Sequence, residues 1–119
     1  MERKLATVLF VDLVGSTALV TGTDPEIARR RVQQYFDKVS HCVMTHGGIV
    51  EKFIGDAVMA AFGIPQAHED DAERAVRAGL ELIAAVTKLD VGAETALRVR
   101  VGIATGLAFA NPVGGVTVN

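Results

Sequence analysis

The chain has no tryptophan, one tyrosine (Tyr35) and one cysteine (Cys42) among its 119 residues. A lone cysteine excludes an internal disulfide and fits a reducing compartment. Positive charge is not in excess either: 12 Lys and Arg stand against 14 Asp and Glu, for a net charge of −2. The broad basic footprint of a nucleic-acid binder is therefore missing, and a phosphate ligand must be held by a few local groups or by metal. No apolar run approaches the ~20 residues of a membrane helix. The N-terminal MERKLATVLFVDL is apolar only briefly and is interrupted by Asp12. No clean small-residue cleavage site follows, so it reads as a buried strand rather than a leader. The expected location is cytoplasmic. Neither G-x-x-x-x-G-K-[ST] nor G-x-G-x-x-G occurs, which excludes a P-loop and gives no support to a dinucleotide site. The three histidines lack zinc spacing.

What remains is ordinary globular material, half hydrophobic and 22% charged, enough for one small domain over residues 1–119. Leu5 to Val11 is a short β-branched and apolar run, expected to be a buried strand. Gly15-Ser16-Thr17 then opens a short turn that the pattern allows to be helical. Asp24-Pro25-Glu26 combines a cap, a proline at the first helical position and an acid in the first turn. Ala28, Val32, Tyr35, Phe36, Val39 and Val43 follow at helical spacing, with Cys42 beside them. Gly47-Gly48 ends that helix. Ile49–Ile54 and Ala57–Phe62 are apolar runs joined at Gly55-Asp56, which reads as a hairpin. A second helix is expected from near Glu69, with Ala72, Ala75, Val76, Gly79, Leu80 and Ile83 on its apolar face. The acids of His68-Glu69-Asp70-Asp71 suit the first turn of that helix rather than a metal site. Leu97 to Thr105 alternates, with Arg98 and Arg100 on the polar side. The order is that of an α+β, ferredoxin-like arrangement with helices on one face of a mostly antiparallel sheet.

The connection from the first strand through the long helix to the second predicts two parallel strands ending at one sheet edge. Asp12 ends the first and Asp56 lies in the turn that ends the second, so the two carboxylates are expected to meet. Such a pair repels unless a proton or cation intervenes. Mg²⁺ or Mn²⁺ suits oxygen ligands of this kind and leaves positions open for phosphate. Gly15, Ser16 and Thr17 can present amides and hydroxyls to that phosphate. Lys52 and Arg100 are the basic groups placed nearby; taken singly, each reads better as a solvated surface charge.

Four segments in order resemble class III adenylate and guanylate cyclases of the bacterial type: Phe10-Val11-Asp12-Leu13-Val14-Gly15-Ser16-Thr17, Glu51-Lys52-Phe53-Ile54-Gly55-Asp56-Ala57-Val58-Met59-Ala60, His68-Glu69-Asp70-Asp71-Ala72 and Arg98-Val99-Arg100-Val101-Gly102-Ile103-Ala104-Thr105-Gly106. The likeness runs to Gly106 and implies the cyclase fold (βααββαβ) in C-terminally incomplete form. By resemblance, Asp12, Asp56 and the Leu13 carbonyl hold two Mg²⁺ or Mn²⁺ ions. Gly15 to Thr17 and Arg100 bind the triphosphate, and Lys52 contacts the base across a homodimer or heterodimer interface. The implied reaction forms a cyclic nucleotide and pyrophosphate from ATP or GTP, with the bacterial look of the motifs favouring ATP. The family's transition-state Asn and Arg have no counterpart, since no arginine follows Arg100. This chain is thus expected to be inactive or very slow alone, and two other readings stay open: a non-catalytic module pairing with another cyclase subunit, or a degenerate fragment.

Overall fold

The computed structural model describes residues 2–15, 24–89, 97–110 and 116–118. The elements run β1 (Glu2–Val14), α1 (Pro25–Thr45), β2 (Ile49–Ile54), β3 (Ala57–Phe62), α2 (Asp71–Thr87), β4 (Arg98–Ala110) and β5 (Val116–Val118). The five strands form one sheet in the order β2-β3-β1-β4-β5, and every neighbouring pair is antiparallel. Because β1 and β2 both oppose β3, they run parallel to each other, as the crossover argument requires, with β3 between them. The short helix expected around Ser16 and Thr17 falls outside the described residues.

Helix α1 starts where its cap chemistry says it should. The Asp24 carboxylate accepts the Glu26 N–H at 2.8 Å, and Pro25 takes the first helical position. Both helices pack on one face of the sheet. The core joins Leu9, Val11 and Leu13 of β1 to Val58, Ala60 and Phe62 of β3, Tyr35, Val39 and Val43 of α1, and Ala75, Ala78, Leu82 and Val86 of α2. These β1 residues are the odd-numbered ones, as the period of two demands.

Helix α2 keeps Ala75 and Gly79 of the expected face buried but departs from the rest of it. Val76, Leu80 and Ile83 are 47%, 66% and 41% exposed, and Ala72 is exposed too. The buried side is Ala75, Ala78, Gly79, Leu82 and Val86. The helix is apolar around most of its girth, so periodicity alone could not choose. The sheet takes the side with small residues: a Cβ on Gly79 would stand 3.3 Å from a Val101 methyl, so a larger residue would hold the helix off β4.

Strands β1 and β4 are also longer than the apolar runs suggest. They pair along their whole length, from Glu2↔Ala110 to Val14↔Arg98, so the ladder carries both strands past their apolar segments. The consequence for function is that Asp12 lies inside a strand and not in a loose loop.

Candidate active site

The even-numbered residues of β1 face away from the helices. Phe10, Asp12 and Val14 are all exposed there. Residues directly opposite in an antiparallel pair share a face, so the register spreads this open face across the sheet. Arg100 stands opposite Asp12, and Gly102 opposite Phe10. On the other side Met59 stands opposite Phe10, and Lys52 opposite Met59. Asp12, Arg100 and Lys52 therefore occupy one face, with Asp12 and Arg100 on adjacent strands ~5 Å apart.

Lys52 reaches that face through an irregularity that the sequence pattern does not reveal. Val50 pairs with Ala60 on the helix side, yet Lys52 pairs with Met59 on the open side. Two residues of one strand spaced by two share a face unless a bulge intervenes, and here the ladder shifts between them with Glu51 as the extra residue. Beyond the bulge, Phe53 turns to the helix side and meets the Phe36 ring at 4.6 Å. Burial raises the Glu51 carboxyl above its ordinary value, opposed by the Lys52 charge.

Asp56 lies in the Gly55-Asp56 turn, one residue before β3 begins. Gly55 adopts φ +62 and a Cβ there would meet nothing, so backbone conformation and not space calls for glycine. Val11 pairs with Val58, which puts Asp12 and Asp56 at the same end of adjacent strands. Both carboxylates act electrostatically on the Tyr35 hydroxyl, Asp56 more strongly than Asp12. The register thus places the two acids at one end of the sheet on neighbouring strands. Gly15 follows directly at the end of β1, with φ +68; Ser16 and Thr17 lie outside the described residues.

Leu13 buries its side chain in the core, so only its main chain is available to a ligand. The ladder with β3 stops at Val11 while that with β4 runs on to Val14. Past Val11, β1 has a strand neighbour on one side only among the described residues. Among the described residues no three His, Cys, Asp or Glu side chains cluster as metal ligands. A pair of carboxylates with main-chain oxygen fits Mg²⁺ or Mn²⁺ shared with a phosphate ligand, because Mg²⁺ is commonly held by one or two carboxylates with substrate and water completing the shell.

Tyr35 is the residue that sequence reasoning placed only in the core. It is fully buried on α1, and its hydroxyl has no hydrogen-bond partner among the described residues. Its pKa is pushed up by burial first and then by the charges of Asp56 and Asp12. Its one sequence signal was a polar atom on an otherwise apolar helix face.

No helix among the described residues is long and apolar enough to cross a membrane. Residues 2–119 match the family model described as the adenylate and guanylate cyclase catalytic domain. Adenylate cyclase 1 of Rhizobium meliloti is 31% identical over 116 residues, covering 94% of this chain and 17% of that protein. An uncharacterized protein of the same organism is 36% identical over 111 residues, 91% of this chain and 11% of its own length. The chain thus spans only a small part of the curated relatives it matches. Among solved structures, guanylyl cyclase Cya2 superposes with TM-score 0.84 at 30% identity, covering 99% of this chain and 64% of that one. Adenylyl cyclase CyaB from P. aeruginosa gives TM-score 0.82 at 27% identity, covering 99% and 65%.

Proposed function

The chain belongs to the adenylate and guanylate cyclase catalytic domain family, and from that premise we propose that it supplies the metal-binding half of a class III nucleotide cyclase site formed between two subunits. The observation that carries the proposal is the convergence of Asp12 and Asp56 at one sheet edge, with Arg100 and Lys52 on the open face beside them. The substrate is a nucleoside triphosphate, ATP in preference to GTP. The reaction is attack of the ribose 3′-hydroxyl on the α-phosphorus with release of pyrophosphate.

In this reading Asp12, Asp56 and the Leu13 carbonyl hold two Mg²⁺ or Mn²⁺ ions. Bound there, such ions supply Lewis-acid stabilisation of phosphate charge and a lowered pKa for the attacking hydroxyl. Gly15, Ser16 and Thr17 hold the phosphates through main-chain N–H groups, and the Arg100 guanidinium adds charge-assisted hydrogen bonds. Lys52, on the same open face as Asp12, contacts the base across the interface between the two subunits. Relief of the Asp12–Asp56 repulsion favours cation binding over the free state.

No arginine follows Arg100 in these 119 residues, so the family's transition-state arginine is not among them. Losing one such electrostatic group costs on the order of 10²–10³ in rate. A protein of these residues alone is therefore expected to make little or no cyclic nucleotide. The test is cAMP and cGMP production with Mn²⁺, first alone and then mixed with a complete homologue whose own metal aspartates are replaced. Product in the mixture, lost again with Asp12→Ala, supports the proposal. No product in either arrangement overturns it, and if Mn²⁺ also fails to bind, a degenerate fragment is left; product in the mixture that survives Asp12→Ala removes the metal assignment. Cation binding without product in the mixture identifies a non-catalytic binding module.

A further inference from the structure

Tyr35 is where the core and the carboxylate edge meet, and nothing in the reaction scheme above uses it. Its side chain is fully buried, and the hydroxyl finds no partner among the described residues. Buried phenol hydroxyls normally have one. The helix geometry gives the hydroxyl a direction. Helix α1 ends at Thr45, with three residues between it and the start of β2, so its other end lies toward the edge where β2 finishes and Asp56 sits. Side chains on a helix lean toward its N-terminus, which aims the Tyr35 ring at that edge. In agreement, the charges that act on the hydroxyl are those of Asp56 and Asp12, Asp56 first.

Between the two acids the fold favours Asp56 as the partner. Asp12 is on the face away from the helices and exposed, whereas Asp56 is half-buried in its turn. We propose that Tyr35 is a positioning residue for the Asp12–Asp56 pair: its buried hydroxyl donates a hydrogen bond to Asp56 from the core side when a divalent cation draws the carboxylates together. The inference rests on the cation-site reading above. A phenol hydroxyl is suited to this task, because it donates a hydrogen bond without adding a third negative charge. One carboxylate oxygen is held from below, and the other is left facing the cation with its rotamer fixed.

The composition provides the probe. Tyr35 is the only tyrosine and there is no tryptophan, so ultraviolet emission of the full chain reports on this one ring. Mn²⁺ is titrated into the chain, with free Mn²⁺ counted by electron paramagnetic resonance and Tyr35 emission followed in parallel. The expected result is an emission change with the same midpoint as Mn²⁺ binding. In Tyr35→Phe the Mn²⁺ affinity should fall about 10-fold, the low end of what supporting residues of metal ligands contribute, while metal-free thermal unfolding stays close to wild type. Added back to the complementing homologue, the variant should need more Mn²⁺ for half-maximal rate yet approach the wild-type rate at saturation. A purely structural tyrosine would not produce that split. Equal Mn²⁺ affinity in wild type and Tyr35→Phe, with binding lost in Asp56→Asn, overturns the role of Tyr35 and leaves the cation site standing. Flat emission through a completed binding curve also overturns it. A wild-type chain that binds no Mn²⁺ brings down the cation-site reading itself, and this inference with it.

Discussion

The two faces of the sheet are built from the same strands but under opposite rules. On the helix side, Leu9, Val11 and Leu13 of β1 lie in a closed apolar core. On the open side, their alternating neighbours Phe10, Asp12 and Val14 are exposed, and Arg100 and Lys52 share that face. One side therefore holds the fold, and the other is free to carry charge that packing would not tolerate. A single strand serves both because its period is two. Asp12 is held rigidly by the same ladder that buries Leu13, so a core strand positions a reactive carboxylate at little structural cost.

Substitutions that separate stability from function test this division, and the largest effect belongs to the open face. Asp12→Asn is expected to reduce complemented cyclase activity by about 10²-fold or more, while the metal-free melting temperature does not fall, because an exposed like-charge neighbour of Asp56 has been removed. A substantial loss of metal-free stability would mean that Asp12 belongs to the structural side after all.

Next comes the helix side. Leu82 is fully buried and Leu80, two residues away on α2, is 66% exposed. Leu82→Ala should cost ~2–5 kcal/mol, whereas Leu80→Ala should stay within ~0.5 kcal/mol. Urea unfolding midpoints distinguish them, and equal losses would contradict the packing of α2 described above.

The smallest effect sharpens the comparison at the outer rim of the helix layer. Glu81 on α2 accepts a hydrogen bond from His46, which follows α1, and this holds its carboxyl below the ordinary value. A depressed acid contributes stability above its unfolded pKa of about 4.3, and the contribution is lost as pH falls through the folded value. The melting temperature of wild type should therefore drop more steeply between pH 6 and pH 3.5 than that of Glu81→Gln. Parallel curves would show that the contact adds nothing to α1–α2 docking.

The two faces also differ in how far they can be read from sequence. The carboxylate edge was legible because its cause is topological. A strand, a helix and a strand at those lengths, with a Gly-Asp hairpin after them, put Asp12 and Asp56 at one sheet edge, and β3 slipping between the parallel strands does not move that edge. The α1 face was legible because its polar residues mark the outside. Helix α2 was legible only at Ala75 and Gly79: Val76, Leu80 and Ile83 keep helical spacing as well as Ala78 and Leu82 do, and spacing alone does not choose between them. The side of the sheet taken by Lys52 depends on one unpaired residue, and whether the Tyr35 hydroxyl finds a partner among the described residues depends on what stands around it. Neither is a property of periodicity. Ser16 and Thr17, the remaining expected phosphate contacts, lie outside the described residues.

The bulge at Glu51 makes β2 a strand of two parities. Counting by twos from Val50 puts Lys52 and Ile54 in the core; counting from Lys52 puts Val50 on the open face; and neither count holds across position 51. The segment on each side of the bulge can therefore vary under its own constraint. Val50 answers to the packing beneath α1, and Lys52 to whatever lies over the open face. An insertion that would wreck an ordinary strand thus works here as a joint, allowing the group that faces the ligand to change without a compensating change in the residue that anchors the strand.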